Sequence, residues 1–234
     1  MSNTGTVRAD QDELRVGGLT NGGQVEIAAG GTLRSDSQVQ NDRDLSIDGR
    51  LIGGLSNSAT GHTVMGDGGR ISGDVTNAGT MEIAGRIDDR LSNSGTVGTR
   101  GDVSVGELVT GSGGDTTISA GDRLSSSRQV VNEGQTHIYG TLAGDLLNSA
   151  GTTELLGGRI EGDVVNDATL SAHGTITGSV ENGGTLDLTG DLRVGSLTNA
   201  GTTDVGTGER LTVDQVLRNQ DSGVLNVAGA VTVT

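Results

Sequence analysis

The sequence predicts an all-β chain: one right-handed parallel β-helix of about 13 coils of about 18 residues each, with no helices. Three observations predict it. A short phrase, hydrophobe-x-Asn-x-Gly-Thr-hydrophobe, returns along the whole length. The residues around each return alternate apolar and polar with a period of two. The composition combines 43 Gly with no Pro and a single aromatic residue, Tyr139.

The phrase is clearest in residues 73–97, GDVTNAGTMEIAGRIDDRLSNSGTV, where it occurs twice, sixteen positions apart. Its Asn residues are Asn3, Asn21, Asn41, Asn57, Asn77, Asn93, Asn132, Asn148, Asn166, Asn182, Asn199 and Asn219. Spacings run from 16 to 20, except one of 39 between Asn93 and Asn132. That gap reads as two coils with one Asn lost, and Gly111 in LVTGSGGDTTI is the expected occupant of the slot. An inward Asn alone would be a costly buried amide. Stacked coil on coil about 4.8 Å apart, each amide can donate to the oxygen of the next, as in cross-β stacks. The twelve Asn are therefore expected to form a structural ladder.

The strands follow from the columns around it. Two residues before each Asn stand Leu19, Val39, Leu55, Val75, Leu91, Val130, Leu146, Val164, Val180, Leu197 and Leu217. Four and six residues after it stand pairs such as Val25 and Ile27, Met81 and Ile83, or Leu186 and Leu188. Ten after it stand Leu51, Ile87, Val103, Leu142, Ile176 and Leu192. This is strand alternation between Gly-rich turns, not the 3.6 period of a helix. Crossovers between parallel strands are overwhelmingly right-handed, and coil length varies too much for a strict hexapeptide helix. Thirteen coils make a rod about 60 Å long. The chain 1–234 reads as one continuous solenoid, a segment of a longer repeat array, with 98–128 the least regular part and the place for a lateral loop.

Composition narrows the function classes. A core of Val, Leu, Ile and Ala without large rings must be thin, against a compact globule. The 30 acidic residues outweigh 15 basic ones, all Arg, for a net charge of −15. Such a chain does not suit phosphate contacts with nucleic acid or an anionic membrane surface. It contains no Cys, hence no disulfide or thiolate chemistry. No apolar run approaches a membrane helix, and the start MSNTGTVRADQDELRV has no signal-peptide pattern.

No reaction is legible. His62, His137 and His173 lack metal spacing, and His137 in QTHIYG is expected to face solvent on a strand. Gly-Asp recurs at Asp74, Asp102, Asp122, Asp145, Asp163 and Asp191, with Asp145 and Asp163 in the same slot of successive coils. Calcium could bridge such a stack, but MGDGG and GSGGDTT are only fragments of a repeated calcium motif, so no cofactor is expected. Thr80, Thr96, Thr185 and Thr202 do not make the wide Thr-x-Thr face that organises ice. A polysaccharide-cleaving β-helix would want aromatic platforms for sugar rings, and one Tyr cannot supply them.

GDVTNAGTMEIAG, GSVENGGTLDLTG and GSLTNAGTTDVG resemble repeats of bacterial filamentous-haemagglutinin-like exoproteins and autotransporter passenger domains. The resemblance implies a secreted or surface-displayed bacterial rod, a stalk or adhesin without catalysis, exported through an outer-membrane barrel. Absent Cys is similar to such passengers. GRIEGDVVNDATLSAHGTITGSV also resembles bactofilins, cytoplasmic β-helices that stack end to end, which implies a self-assembling filament as the alternative. Residues 2–7, SNTGTV, match residues 92–97, SNSGTV, at five of six positions, and VLNVAGAVTVT closes the chain without a polar cap. Expected partners are therefore further repeats of the same parent chain or other copies stacked end to end, with a host or cell-surface receptor beside them.

Overall fold

The computed structural model describes all residues 1–234 and contains thirty strands and no helix. All thirty strands join in one continuous sheet that winds on itself in about 13 turns. The pairings are parallel, each strand lying between its counterparts one coil back and one coil on. One coil shows the pattern: Leu55–Asn57, His62–Met65 and Arg70–Ser72 are its three strands. Leu55 pairs with Val39 on one side and Val75 on the other, and Asn57 with Asn41 and Asn77. Elsewhere the corners flatten into longer strands, as in Thr80–Asn93 and Thr185–Asn199.

Alternation decides which residues enter. In His62–Met65 the exposed His62 and the half-buried Val64 face outward, while Thr63 and Met65 are buried. Summed over the coils, 43 apolar residues form one continuous core. Each fully buried Leu, Ile or Met side chain contributes about 1.5–3 kcal/mol of transfer free energy. Because the coils are thin, that core is a column one or two side chains across, which Val, Leu and Ile fill without rings.

Glycine two residues after an Asn serves close approach. A Cβ at Gly201 would strike the carbonyl oxygen of Gly184 one coil below, and a Cβ at Gly95 that of Gly79. The stacking distance, not an unusual φ, makes Gly the favoured residue there.

Three expectations are corrected. The slot between Asn93 and Asn132 is held by Thr110, not Gly111: Thr110 pairs with Asn93 below and with Asn132 above. Gly111 lies one residue further on, outside the ladder. Register shifts of the kind that mark β-bulges set Val105, not Val103, beside Ile87, and Val194, not Leu192, beside Ile176. All four of these Val and Leu residues are buried, so the shift exchanges partners without emptying the core. Residues 98–128 hold no lateral loop; the strands Thr96–Thr110, Asp115–Ile118 and Arg123–Ser126 run through them, separated by four-residue turns.

Candidate functional surfaces

The Asn ladder is a directional chain of side-chain hydrogen bonds. Asn3 Nδ2 donates to Asn21 Oδ1 at 2.8 Å, Asn21 to Asn41 at 2.8 Å, Asn41 to Asn57 at 2.8 Å, Asn57 to Asn77 at 2.7 Å and Asn77 to Asn93 at 2.8 Å. A second run links Asn132, Asn148, Asn166, Asn182, Asn199 and Asn219 at 2.7–2.9 Å. The second amide hydrogen goes to a backbone carbonyl of the next coil, as from Asn148 to Thr169 O at 2.8 Å. The oxygen also accepts a backbone N–H, as from Gly134 to Asn132 at 3.2 Å. Asn21, Asn41, Asn132, Asn148, Asn166 and Asn199 have no exposed surface at all. Each buried ladder amide thereby finds its hydrogen-bond partners within its own and the neighbouring coils.

At Thr110 the chain of amides stops. Asn93 Nδ2 keeps its bonds to Asp115 O at 2.7 Å and Thr116 Oγ1 at 3.1 Å but has no amide oxygen to reach, and Thr110 Oγ1 lies 2.8 Å from Thr116 Oγ1. The consequence appears one coil on. Buried Thr hydroxyls are reached by the Asn of the preceding coil, as Thr153 is by Asn132 at 3.0 Å and Thr63 by Asn41 at 3.3 Å. The residue that would reach Thr136 is Thr110, whose side chain is too short, and Thr136 Oγ1 is buried without a partner. Thr110→Asn is expected to close the ladder and supply that donor, stabilising the chain by about 1–2 kcal/mol. A thermal melt measures it; an unchanged or lower midpoint would contradict the account of the break.

Three of the Gly-Asp carboxylates, Asp74, Asp145 and Asp163, bond backbone of the next coil. Asp145 Oδ1 accepts the N–H of Asp163 at 2.8 Å, and Asp163 Oδ1 accepts the N–H of Ser179 at 2.7 Å and its hydroxyl at 2.9 Å. Asp74 accepts the N–H of Arg90 at 3.2 Å in the same way. Each of these three carboxylates thus seals a corner against the next coil, which offsets the repulsion between Asp145 and Asp163 in their shared column. No group of three or more His, Cys, Asp or Glu side chains is placed to hold a metal ion. His137 lies on the outer side of Gln135–Ile138, its Nδ1 3.0 Å from Glu154 Oε2 and its Nε2 3.7 Å from Asp115 Oδ1.

The third strand of the coils carries an outward Arg column: Arg50 pairs with Arg70, and Arg70 with Arg86. Asp88 sits diagonally between two of them, 2.7 Å from Arg70 Nη2 and 2.5 Å from Arg86 Nε. Partial burial works to raise the Asp88 pKa, but hydrogen bonds from Arg70, Arg86 and Ser72 outweigh it and hold the carboxyl below its ordinary value. Stacked guanidinium groups are thereby kept compatible with 4.8 Å spacing.

One further surface was not read from the sequence. The outward residue just before a ladder position belongs to a column of its own, whose middle stretch is Gln40, Ser56, Thr76, Ser92, Val109, Val131, Leu147 and Val165. From Gln40 to Val165 it is uncharged, and Val109, Val131, Leu147 and Val165 are apolar; Glu181, paired with Val165, ends the run. Val109, Val131, Leu147 and Val165 are half-buried although they point away from the core, each between two buried neighbours. A groove of about 450 Å³ lies over its Ser and Thr half and reaches Val109. A second hollow of about 270 Å³ begins at Val165. The signal was present in the sequence as hydrophobe-hydrophobe-Asn at Val130-Val131-Asn132, Leu146-Leu147-Asn148 and Val164-Val165-Asn166.

No family model matches the chain, and no curated protein does. Among solved structures it is similar to a fragment of TibA, residues 55–350, hyper-glycosylated by TibC. Identity is 19%, 97% of this chain and 94% of that chain are covered, and the TM-score is 0.44. A likeness at that distance carries no argument about the role of this chain.

Proposed function

We propose that the chain is a non-catalytic structural rod, a stalk or display scaffold of a secreted or surface-exposed bacterial protein. The observation that supports it best is the continuity of the coil stack. Parallel pairing ties every coil to the next, and the Asn ladder on either side of Thr110 and three corner carboxylates reinforce it, so bending the rod would strain bonds in many coils together. Its utility lies in length, stiffness and acidic sides rather than in a few reacting groups. The repeats of the type GDVTNAGTMEIAG support the surface placement, and a receptor would be met along the sides.

A second reading, a filament of copies stacked end to end in the cytoplasm, is supported by the repeats of the type GRIEGDVVNDATLSAHGTITGSV. Negative-stain electron microscopy with light scattering separates the readings. Monomeric rods roughly 60 Å long are expected; long unbranched filaments would favour the second reading, and compact particles would overturn both.

A further inference from the structure

We propose that the outward stripe Val109, Val131, Leu147 and Val165 is a docking surface for an extended peptide segment whose apolar side chains alternate with basic ones. The placement of the four residues is the first ground. They stand in register in four consecutive coils, Val109 paired with Val131, Val131 with Leu147 and Leu147 with Val165. Other outward apolar residues, such as Ile52, Val64 and Leu156, stand singly, whereas these four are contiguous, and a contiguous apolar patch rimmed by polar groups marks an interaction site. Shape is the second ground, since hollows open at both ends of the stripe, one reaching Val109 and the other Val165.

Charge selects the occupant. On one side of the stripe stand Glu107, Asp145 and Asp163, each two residues before a stripe member. On the other stand Glu133 and Asp167, each two residues after one. Arg128, 3.6 Å from Glu107, offsets only that end. A second copy laid face to face would set these carboxylates against their equivalents, so self-pairing is disfavoured. A segment with Lys or Arg beside its apolar residues would satisfy both parts of the surface. The spacing also fits. Four coils span about 14 Å, and three same-side residues of an extended peptide span about 13 Å.

The probe is a ten-residue peptide of alternating Val and Arg, compared with a peptide of alternating Ser and Arg that has the same charge. Binding to the intact chain is followed by fluorescence anisotropy and by amide chemical shifts. The Val-Arg peptide is expected to bind at least tenfold tighter than the Ser-Arg peptide and to shift the amides of Val131, Leu147 and Val165. The double variant Val131→Thr, Leu147→Thr keeps every charge and the core, and should lose that tenfold preference while melting as the parent does. Equal binding of the two peptides would overturn the proposal, since it would reduce the effect to attraction of cations by an acidic rod. So would light scattering that shows the parent chain paired and the double variant monomeric, which would make the stripe a self-association face. The comparison of the two peptides on the parent chain stands even if the variant does not fold.

Discussion

Leu146→Asp is expected to abolish the cooperative melting transition of the rod, while Leu147→Thr, one residue along, leaves it within about 1 kcal/mol of the parent. Leu146 has no exposed surface and packs in the column between Val130 and Val164. A carboxylate there has no cation within the core, and its desolvation costs several kcal/mol on top of the lost apolar contacts. That sum is comparable to the whole stability of a typical domain, about 5–15 kcal/mol. Leu147 points outward, so Thr at that position keeps the strand preference and removes only surface apolar area. Circular dichroism melts of both variants provide the check. A native-like melt for Leu146→Asp would mean that the alternation is inverted in this coil and that the core column is wrongly placed.

The contrast between these neighbours shows why the fold was legible in the sequence. In a solenoid the physical environment of a residue repeats every coil, so Leu19, Val39, Leu55 and Val75 announce their shared column by recurring beside Asn. No long-range contact has to be guessed, because each strand pairs with its own counterpart. What escaped was everything that depends on a coil departing from the mean. Thr110 and Gly111 are adjacent, and only the pairing of Thr110 with both Asn93 and Asn132 decides between them. Val103 and Val105 are both apolar and both inward, so spacing alone cannot tell which lies beside Ile87. The corner aspartates looked like a column of repelling charges because their backbone partners, the N–H groups of Asp163 and Ser179, belong to the next coil. The outward stripe escaped for a related reason: Val131, Leu147 and Val165 each follow a buried residue, and a local run of two hydrophobes reads as core until the strand direction is known.

Asn77→Asp tests whether the ladder is held by hydrogen bonding or by shape. The two side chains have nearly the same volume, so the substitution leaves no cavity and isolates the chemistry of one nitrogen. Asn77 Nδ2 donates to Asn93 Oδ1 at 2.8 Å, to Thr96 O at 3.0 Å and to Gly79 O at 3.1 Å. A carboxylate oxygen in that place would face three acceptors, and only the bond accepted from Asn57 Nδ2, 2.7 Å long, would survive. The expected loss is about 3 kcal/mol or more at neutral pH, the cost of orphaned acceptors together with a buried charge. The pH dependence carries the sharper test. Burial among carbonyl oxygens raises the folded-state pKa of the new Asp above its unfolded value of about 3.9. The folded state then binds the proton more tightly, so the deficit is full above the folded pKa and shrinks as pH falls through it towards the unfolded one. Protonation restores one donor, which can serve one of the three acceptors. Urea melts of Asn77→Asp and the parent, taken between pH 7 and pH 4, should therefore converge towards low pH. A deficit that stays constant over that range would mean that the Asn columns act by filling space, and the donor-to-acceptor chain from Asn3 to Asn93 would lose its place as a source of stability.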